Sequence, residues 1–362
     1  MTLTHTPAPE TTGKAEMTSI QDPVLPDPAR PRIIRLIVLA VFLGAVMVTD
    51  LLVGPAFLNV MDVLQALFAP ARADSMVATV VHAIRLPMTL MAAIVGASLS
   101  IAGVEMQTIL GNPLASPYTL GFSAAAGFGA AVAILFGVSL PLIPALTIPF
   151  AAFVAAGLAS GIVYTIARWR EVTAEVMVLA GIATLFLFQS AQSLVQYMAA
   201  PEVLQEIVFW LFGSLIKANR FSVAVSGSIL GLATLALIPD LWRLTALRMG
   251  DARAESLGVN VSALRQRVFV IVAVLTAGAV CFVGTIGFVG LVAPHLARML
   301  VGEDQRMLVP AAGICGALVM VGASIASKVI SPGAVVPVGI VTALVGVPFL
   351  FALIVTGHRR YW

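Results

Sequence analysis

ALRMGDARAESLGVNVSALRQR, residues 246–267, is a long polar passage between two runs of hydrocarbon-soluble sequence. Asp251 is a candidate N-cap for a short helix, Gly258 a candidate left-handed terminator, and Asn260 a candidate cap for the helix that runs on into apolar sequence from Val268. The expected result is two helices joined by a glycine turn. Arg248, Arg253, Arg265 and Arg267, with Asp251 and Glu255, stand among Leu247, Met249, Leu257 and Leu264, which gives charged positions for water and apolar ones for another protein. A docking element fits this pattern; so does a cytoplasmic loop whose arginines only set topology.

The composition surrounding this stretch leaves one broad class. Of 362 residues, 60% are hydrophobic and 10% charged, and mean hydropathy is +1.05, so the chain lacks the polar surface a soluble protein needs. It reads as an all-α polytopic membrane protein. The net charge of +3 is accounted for by arginines retained on one side of the membrane, and nucleic acid is set aside as a partner. Cys281 and Cys315 both lie in apolar runs and give neither a disulfide framework nor a metal spacing.

Residues 1–32 hold six prolines and no aromatic residue and read as a disordered cytoplasmic tail. Residues 33–362 read as one membrane domain. About 20 apolar residues cross a bilayer as a helix, and Gly, Pro and charge divide the chain into ten spans near 33–53, 86–109, 118–136, 143–167, 176–198, 221–241, 268–284, 288–300, 308–327 and 337–356. The eighth is too short to cross untilted and is placed because Gly284, Gly287 and Gly290 interrupt a charge-free run.

Lysine and arginine then partition unevenly. Lys14, Arg30, Arg32, Arg35, Arg168, Arg170, Arg243, Arg248, Arg253, Arg265, Arg267, Arg298, Arg306, Arg359 and Arg360 fall on one side; Arg72, Arg85, Lys217, Arg220 and Lys328 fall on the other. Fifteen against five puts both termini and the 246–267 loop in the cytoplasm and favours an even number of crossings.

The residue types that carry chemistry are sparse. His5, His82, His295 and His358 are scattered, and the sequence shows no nucleophile elbow and no phosphate-cradling glycine loop. No cofactor is expected, and an enzyme is not. Glu105, in the second span beside Gln107, stands out as an intramembrane ionisable group, which costs about 3 kcal/mol or more if left unpaired. It reads as a hydrogen-bonded structural carboxyl or as a proton carrier, the latter implying a proton-coupled secondary transporter. Gly96, Ala97, Ser98, Ser100 and Gly103 in the same span permit close helix contact. Pro87, Pro113, Pro117, Pro294, Pro337 and Pro348 interrupt or start helices, and such breaks cluster where backbone lines a pathway.

Five segments, in order, carry a family resemblance: Arg85-Leu86-Pro87; MQTILGNPLASPYTLG from Met106 to Gly121; LGVN from Leu257 to Asn260; GFVGLVAPHLARMLVGEDQR from Gly287 to Arg306; and PVGIVTALVGVPF from Pro337 to Phe349. From about residue 33 onward the chain resembles the membrane-spanning permease subunits of ABC importers for iron-siderophore complexes, haem and cobalamin. The resemblance implies a ten-span, cobalamin-importer-permease-like fold and a dimer with a second copy or a paralogue. It also implies two cytoplasmic ABC ATPase subunits, a periplasmic substrate-binding protein, an iron-siderophore substrate, and membrane lipid around the whole.

Carried over onto this chain, Gly250, Asp251, Arg253, Ser256, Leu257, Gly258 and Asn260 match the coupling helices that sit in a cleft of the ATPase. Asn112 and Leu114 match positions that close the path on the cytoplasmic side; Asn112 followed by Pro113 also suits a simple turn cap. Arg85 and Lys328 match basic positions that meet acids of the binding protein. Met88, Ser324 and Val336 depart from the family pattern, where relatives often carry Arg, Asp and an acid.

Overall fold

The structure, a computed structural model, describes residues 29–54, 58–69, 73–141, 143–170, 172–331 and 334–356. Most of the expected tail, and with it Lys14, as well as Arg72, Arg359 and Arg360, lies outside the described residues. Among those described, the regular structure is helical: α1 (Ala29–Leu52), α2 (Val60–Phe68), α3 (Ser75–Thr79), α4 (Leu86–Ile109), α5 (Phe122–Leu135), α6 (Thr147–Arg170), α7 (Ala174–Met198), α8 (Pro201–Leu211), α9 (Arg220–Leu237), α10 (Leu241–Leu247), α11 (Asp251–Ser256), α12 (Val261–Val283), α13 (Val289–Val301), α14 (Gln305–Val329) and α15 (Val338–Thr356). Seven stretches are long and apolar enough to cross a membrane, and the shorter apolar helices α5, α13 and α15 bring the set to the ten expected. The short α2 and α8, which the apolar runs do not announce, lie between them.

The second span starts earlier than its sequence suggests. Pro87 has no N–H to give, yet the helix runs unbroken from Ser75 to Ile109 because Val80–Arg85 widens into a π-helical turn. There the N–H of Leu86 bonds the carbonyl of Val81, five residues back.

This span is the core of the molecule. α4 is buried along nearly its whole length, with α12, α13 and α14 against it, while α1, α6, α7 and α9 present long exposed apolar side chains. The small residues account for the fit. A Cβ on Gly96 would strike the carbonyl of Gly316 on α14, a Cβ on Gly316 would strike that of Gly96, and a Cβ on Gly103 would strike the carbonyl of Gly290 on α13. Backbone meets backbone at these points, as small residues in membrane helices allow.

α13 has 13 residues, which at about 1.5 Å per residue is roughly 20 Å, short of the ~30 Å hydrocarbon core. It is preceded by unwound backbone from Gly284 to Gly287 and opens on Phe288 in the left-handed region, φ 66°. Irregular backbone at this depth is tolerated where protein satisfies it. Here Ser214 N–H donates to the carbonyl of Val283 (2.7 Å) and Thr285 Oγ1 donates to the carbonyl of Leu211. The α8–α9 turn thus completes the broken span.

Contacts between distant residues separate two polar ends. Arg35 bonds the carbonyl of Leu300, and Arg248 and Arg298 both pair with Glu303, on one end; Asp50, Arg85 and Lys328 gather on the other. This division matches the alternation expected of the spans.

Candidate functional site

The 246–267 stretch folds as two helices joined by a glycine turn, with one change of role. Gly250, not Asp251, occupies the N-cap of α11, at φ 101° and ψ 156°, a conformation open in practice to glycine alone. Asp251 is the first helical residue, and its carboxylate turns back to accept a two-pronged bond from Arg265, at 2.8 and 2.9 Å. The guanidinium drew the aspartate away from capping. At the other end, Gly258 is left-handed (φ 83°), with its N–H on the carbonyl of Glu255 and the N–H of Val259 on that of Ala254, a complete Schellman closure. Asn260 Oδ1 accepts from the N–H of Ala263 at 3.0 Å and starts α12.

α11 is anchored to α12 through Asp251, packs Ala254 inward, and presents its other residues outward. Ala254 and Val259 are buried; Asp251, Arg253, Glu255, Ser256, Leu257 and Gly258 are exposed, Leu257 by 54%. Met249 is exposed too, but Leu247 and Leu264 are buried in this chain's own core and are not available to a partner. The helical register of α10 and α12, invisible while the stretch is read as one loop, turns those two leucines inward.

A second complete Schellman closure ends α4. Gly111 is left-handed (φ 59°), its N–H bonds the carbonyl of Thr108, and the N–H of Asn112 bonds that of Gln107. Asn112 Oδ1 then accepts from the N–H of Leu114 at 2.9 Å, so the asparagine does cap the turn at Pro113. Both Asn112 and Leu114 remain exposed, Leu114 by 45%.

Three consecutive residues just before that turn are each gripped by a different helix. Arg298 of α13 donates to Gln107 Oε1; Gln305 of α14 donates from Nε2 to Thr108 Oγ1 at 2.8 Å; Arg265 of α12 donates from Nε to the carbonyl of Ile109 at 2.8 Å. Arg265, read from the sequence as a charge for water, is buried instead; the three pairings themselves are not legible in the sequence, because no local spacing joins residues 156 to 197 positions apart.

At the opposite end, Arg85 and Lys328 are not presented as outer-face charges. Arg85 is buried and donates to the carbonyls of Leu51 and Leu52 at 2.8 and 3.0 Å. Lys328 is buried and bonds both the carbonyl and the carboxylate of Asp50. Thr89 donates to the second carboxylate oxygen. Asp50 was missed because, at the last turn of the first apolar run, it reads as an ordinary span-end charge. Met88 and Ser324 are buried as well, so those departures do not alter an exposed charge pattern.

Glu105 is completely buried, and neither carboxylate oxygen finds a hydrogen-bond partner among the described residues. Arg298 and Asp240 are the charges it feels most. Gln107 Nε2, Arg298 Nη2 and Gln305 Oε1 are likewise unpartnered among the described residues.

The model of the FecCD transport family matches residues 37–356. The chain belongs to that family. It is 35% identical over 278 residues to the haemin transport system permease of Yersinia pestis, covering 76% of this chain and 83% of the relative. It is 34% identical over 333 residues to the ferric-citrate import system permease of Bacillus subtilis, covering 90% and 95%. A solved ABC transporter assigned to the metal-chelate type, in an inward-facing conformation, superposes with a TM-score of 0.78 at 30% identity, covering 88% of this chain and 98% of that one. As a FecCD-family chain it is an ABC importer permease.

Proposed function

We propose that the chain is the membrane conduit of an importer that moves a ferric siderophore or a related iron chelate into the cell. It works as a dimer with a second copy or a paralogue, with both termini and α11 in the cytoplasm, and two separate ABC ATPase subunits supply the energy. A substrate-binding protein delivers cargo at the opposite face. There Arg85 and Lys328 hold α1, α4 and α14 together rather than reach out to it.

The observation that carries this reading is α11. It is a six-residue helix closed at both ends by positive-φ glycines, with all but one of its residues exposed. Its precise shape is explained by what it docks into. Exposed Leu257 and Met249, in one stretch with exposed Arg253 and Glu255, offer apolar and charged groups of the kind that enter a protein cleft.

The test is reconstitution. The chain, co-expressed with its ATPase subunit, is expected to purify as a stable complex, and vesicles holding that complex, supplied with the substrate-binding protein, are expected to take up ferric chelate on ATP with no proton gradient. Uptake that follows a proton gradient and ignores ATP would replace this reading with a secondary transporter working through Glu105.

A further inference from the structure

Arg265 makes two bonds of different kinds from one side chain. Its two terminal nitrogens hold the Asp251 carboxylate on α11, and its Nε holds the carbonyl of Ile109. That carbonyl is among the last four of α4, which have no partner within the helix, and it lies at the negative end of the helix dipole. Two residues later the chain enters the turn that carries Asn112 and Leu114. A planar guanidinium with donors fixed in a fork can hold both partners at once; a lysine ammonium on a flexible stem cannot hold them in the same geometry.

The neighbouring grips repeat the arrangement. Gln305, which holds Thr108, also has its own N–H on Thr245 Oγ1 of α10, and Arg298, which holds Gln107, shares Glu303 with Arg248 at the end of α10. The three side-chain grips on the last turn of α4 therefore lead back to α10 or α11. Arg265 is the direct link among them, with one protein group between the exposed helix and the α4 backbone, and it is itself only 6% exposed.

We propose that Arg265 is the positioning residue that transmits displacement of α11 to the Asn112–Leu114 turn. The ion pair with Asp251 is the handle, and the bond to Ile109 is the point of action. The inference rests on reading α11 as the ATPase contact.

The test uses the complete complex of chain and ATPase, with Cys281→Ala and Cys315→Ala as background and Leu114→Cys as the reporter. Disulfide formation between the two copies is measured with and without ATP and vanadate, per complex recovered by co-purification. In the parent complex ATP is expected to change the yield. In Arg265→Lys that response is expected to fall about tenfold, within the range of coupling energies between sites. The exchange Asp251→Arg with Arg265→Asp re-forms the ion pair but has no donor for Ile109, so it is expected to leave the response lost. A full response in Arg265→Lys, or full rescue by the exchange, would overturn the proposal and reduce Arg265 to a support of the loop. If Arg265→Lys fails to assemble, Asp251→Asn takes its place: it leaves Arg265 on Ile109 and loosens α11, and an undiminished response would again overturn it. If the parent chain neither assembles with the ATPase nor responds to ATP, the docking reading itself is at fault, and that result is distinct from any of these.

Discussion

Lys328 Nζ lies 2.7 Å from Asp50 Oδ1, with both side chains removed from solvent and 278 positions between them in the chain. Arg85 stands close enough to feel the same carboxylate. The three residues tie the end of α1 to α4 and α14, and α1 has otherwise a mostly exposed, apolar surface.

Breaking a buried ion pair costs about 3–5 kcal/mol because it strands the remaining charge. The two halves of this pair are not equivalent. Asp50→Asn removes the carboxylate that Lys328 pairs with and Arg85 lies near, whereas Lys328→Met leaves Asp50 with Arg85 still nearby. Thermal unfolding of the purified protein is expected to show the larger loss for Asp50→Asn, and Lys328→Glu, which sets two carboxylates together, is expected to abolish the monodisperse peak on size exclusion. Equal and small losses for all three would mean that water reaches this cluster.

A second prediction concerns the Gly96–Gly316 contact. Each glycine presents its missing Cβ to the other's carbonyl oxygen, and backbone cannot rotate aside as a long side chain can. Gly96→Ala must therefore push α4 and α14 apart, at about 1–3 kcal/mol for an overpacked site. Gly44 on α1 meets nothing within 4 Å, so Gly44→Ala is expected to be neutral or slightly stabilising, since it replaces a weak helix former. Unfolding temperatures of the two variants, compared with the parent, decide the matter.

These examples show what one dimension discloses. Apolar runs broken by Gly, Pro and charge announce the spans, and Gly258 and Asn260 announce the turn of the coupling stretch, because those signals are local: a left-handed residue or a cap needs only its neighbours. Arg85 and Lys328 carry the right residue types, yet the sequence cannot show that Asp50 lies between them, since that meeting is produced by three helices folding together. Asp251 looks like a cap for the same reason. Its actual partner, Arg265, is 14 residues away, and a bidentate guanidinium outcompetes the two nearby N–H groups.

Glu105 offers a third test. Its oxygens are buried without hydrogen-bond partners among the described residues, so a transport role resting on charge and a structural role resting on shape make opposite demands. Gln keeps the volume and polarity and removes the charge. Glu105→Gln is expected to retain ATP-driven uptake at near the parental rate and to unfold at the same or a higher temperature, because a buried carboxyl no longer has to be accommodated. Uptake that stops while ATP hydrolysis continues would make Glu105 a proton carrier.

The last prediction separates conformation from contact at Gly258. Its φ is +83°, and a Cβ built there would meet nothing of this chain within 4 Å, so within the chain a substitution acts through the backbone, and Asn, which also adds a side chain, controls for contact with the partner. Asn visits the left-handed region readily, and a β-branched residue does so only with strain of about 1–3 kcal/mol. Gly258→Asn is thus expected to couple like the parent. Gly258→Val is expected to insert and assemble at normal levels but to lose stimulated ATP hydrolysis and uptake together, by an order of magnitude or so, because relieving the strain opens the Schellman closure and turns Leu257 away from its exposed position. Gly250 supplies the control for the other end of α11. At φ 101° and ψ 156° it occupies a region closed even to Asn, so Gly250→Asn is expected to fail where Gly258→Asn succeeds. If Gly258→Val couples normally in a correctly inserted protein, the exact shape of α11 is irrelevant, and the stretch reverts to a loop whose arginines serve topology.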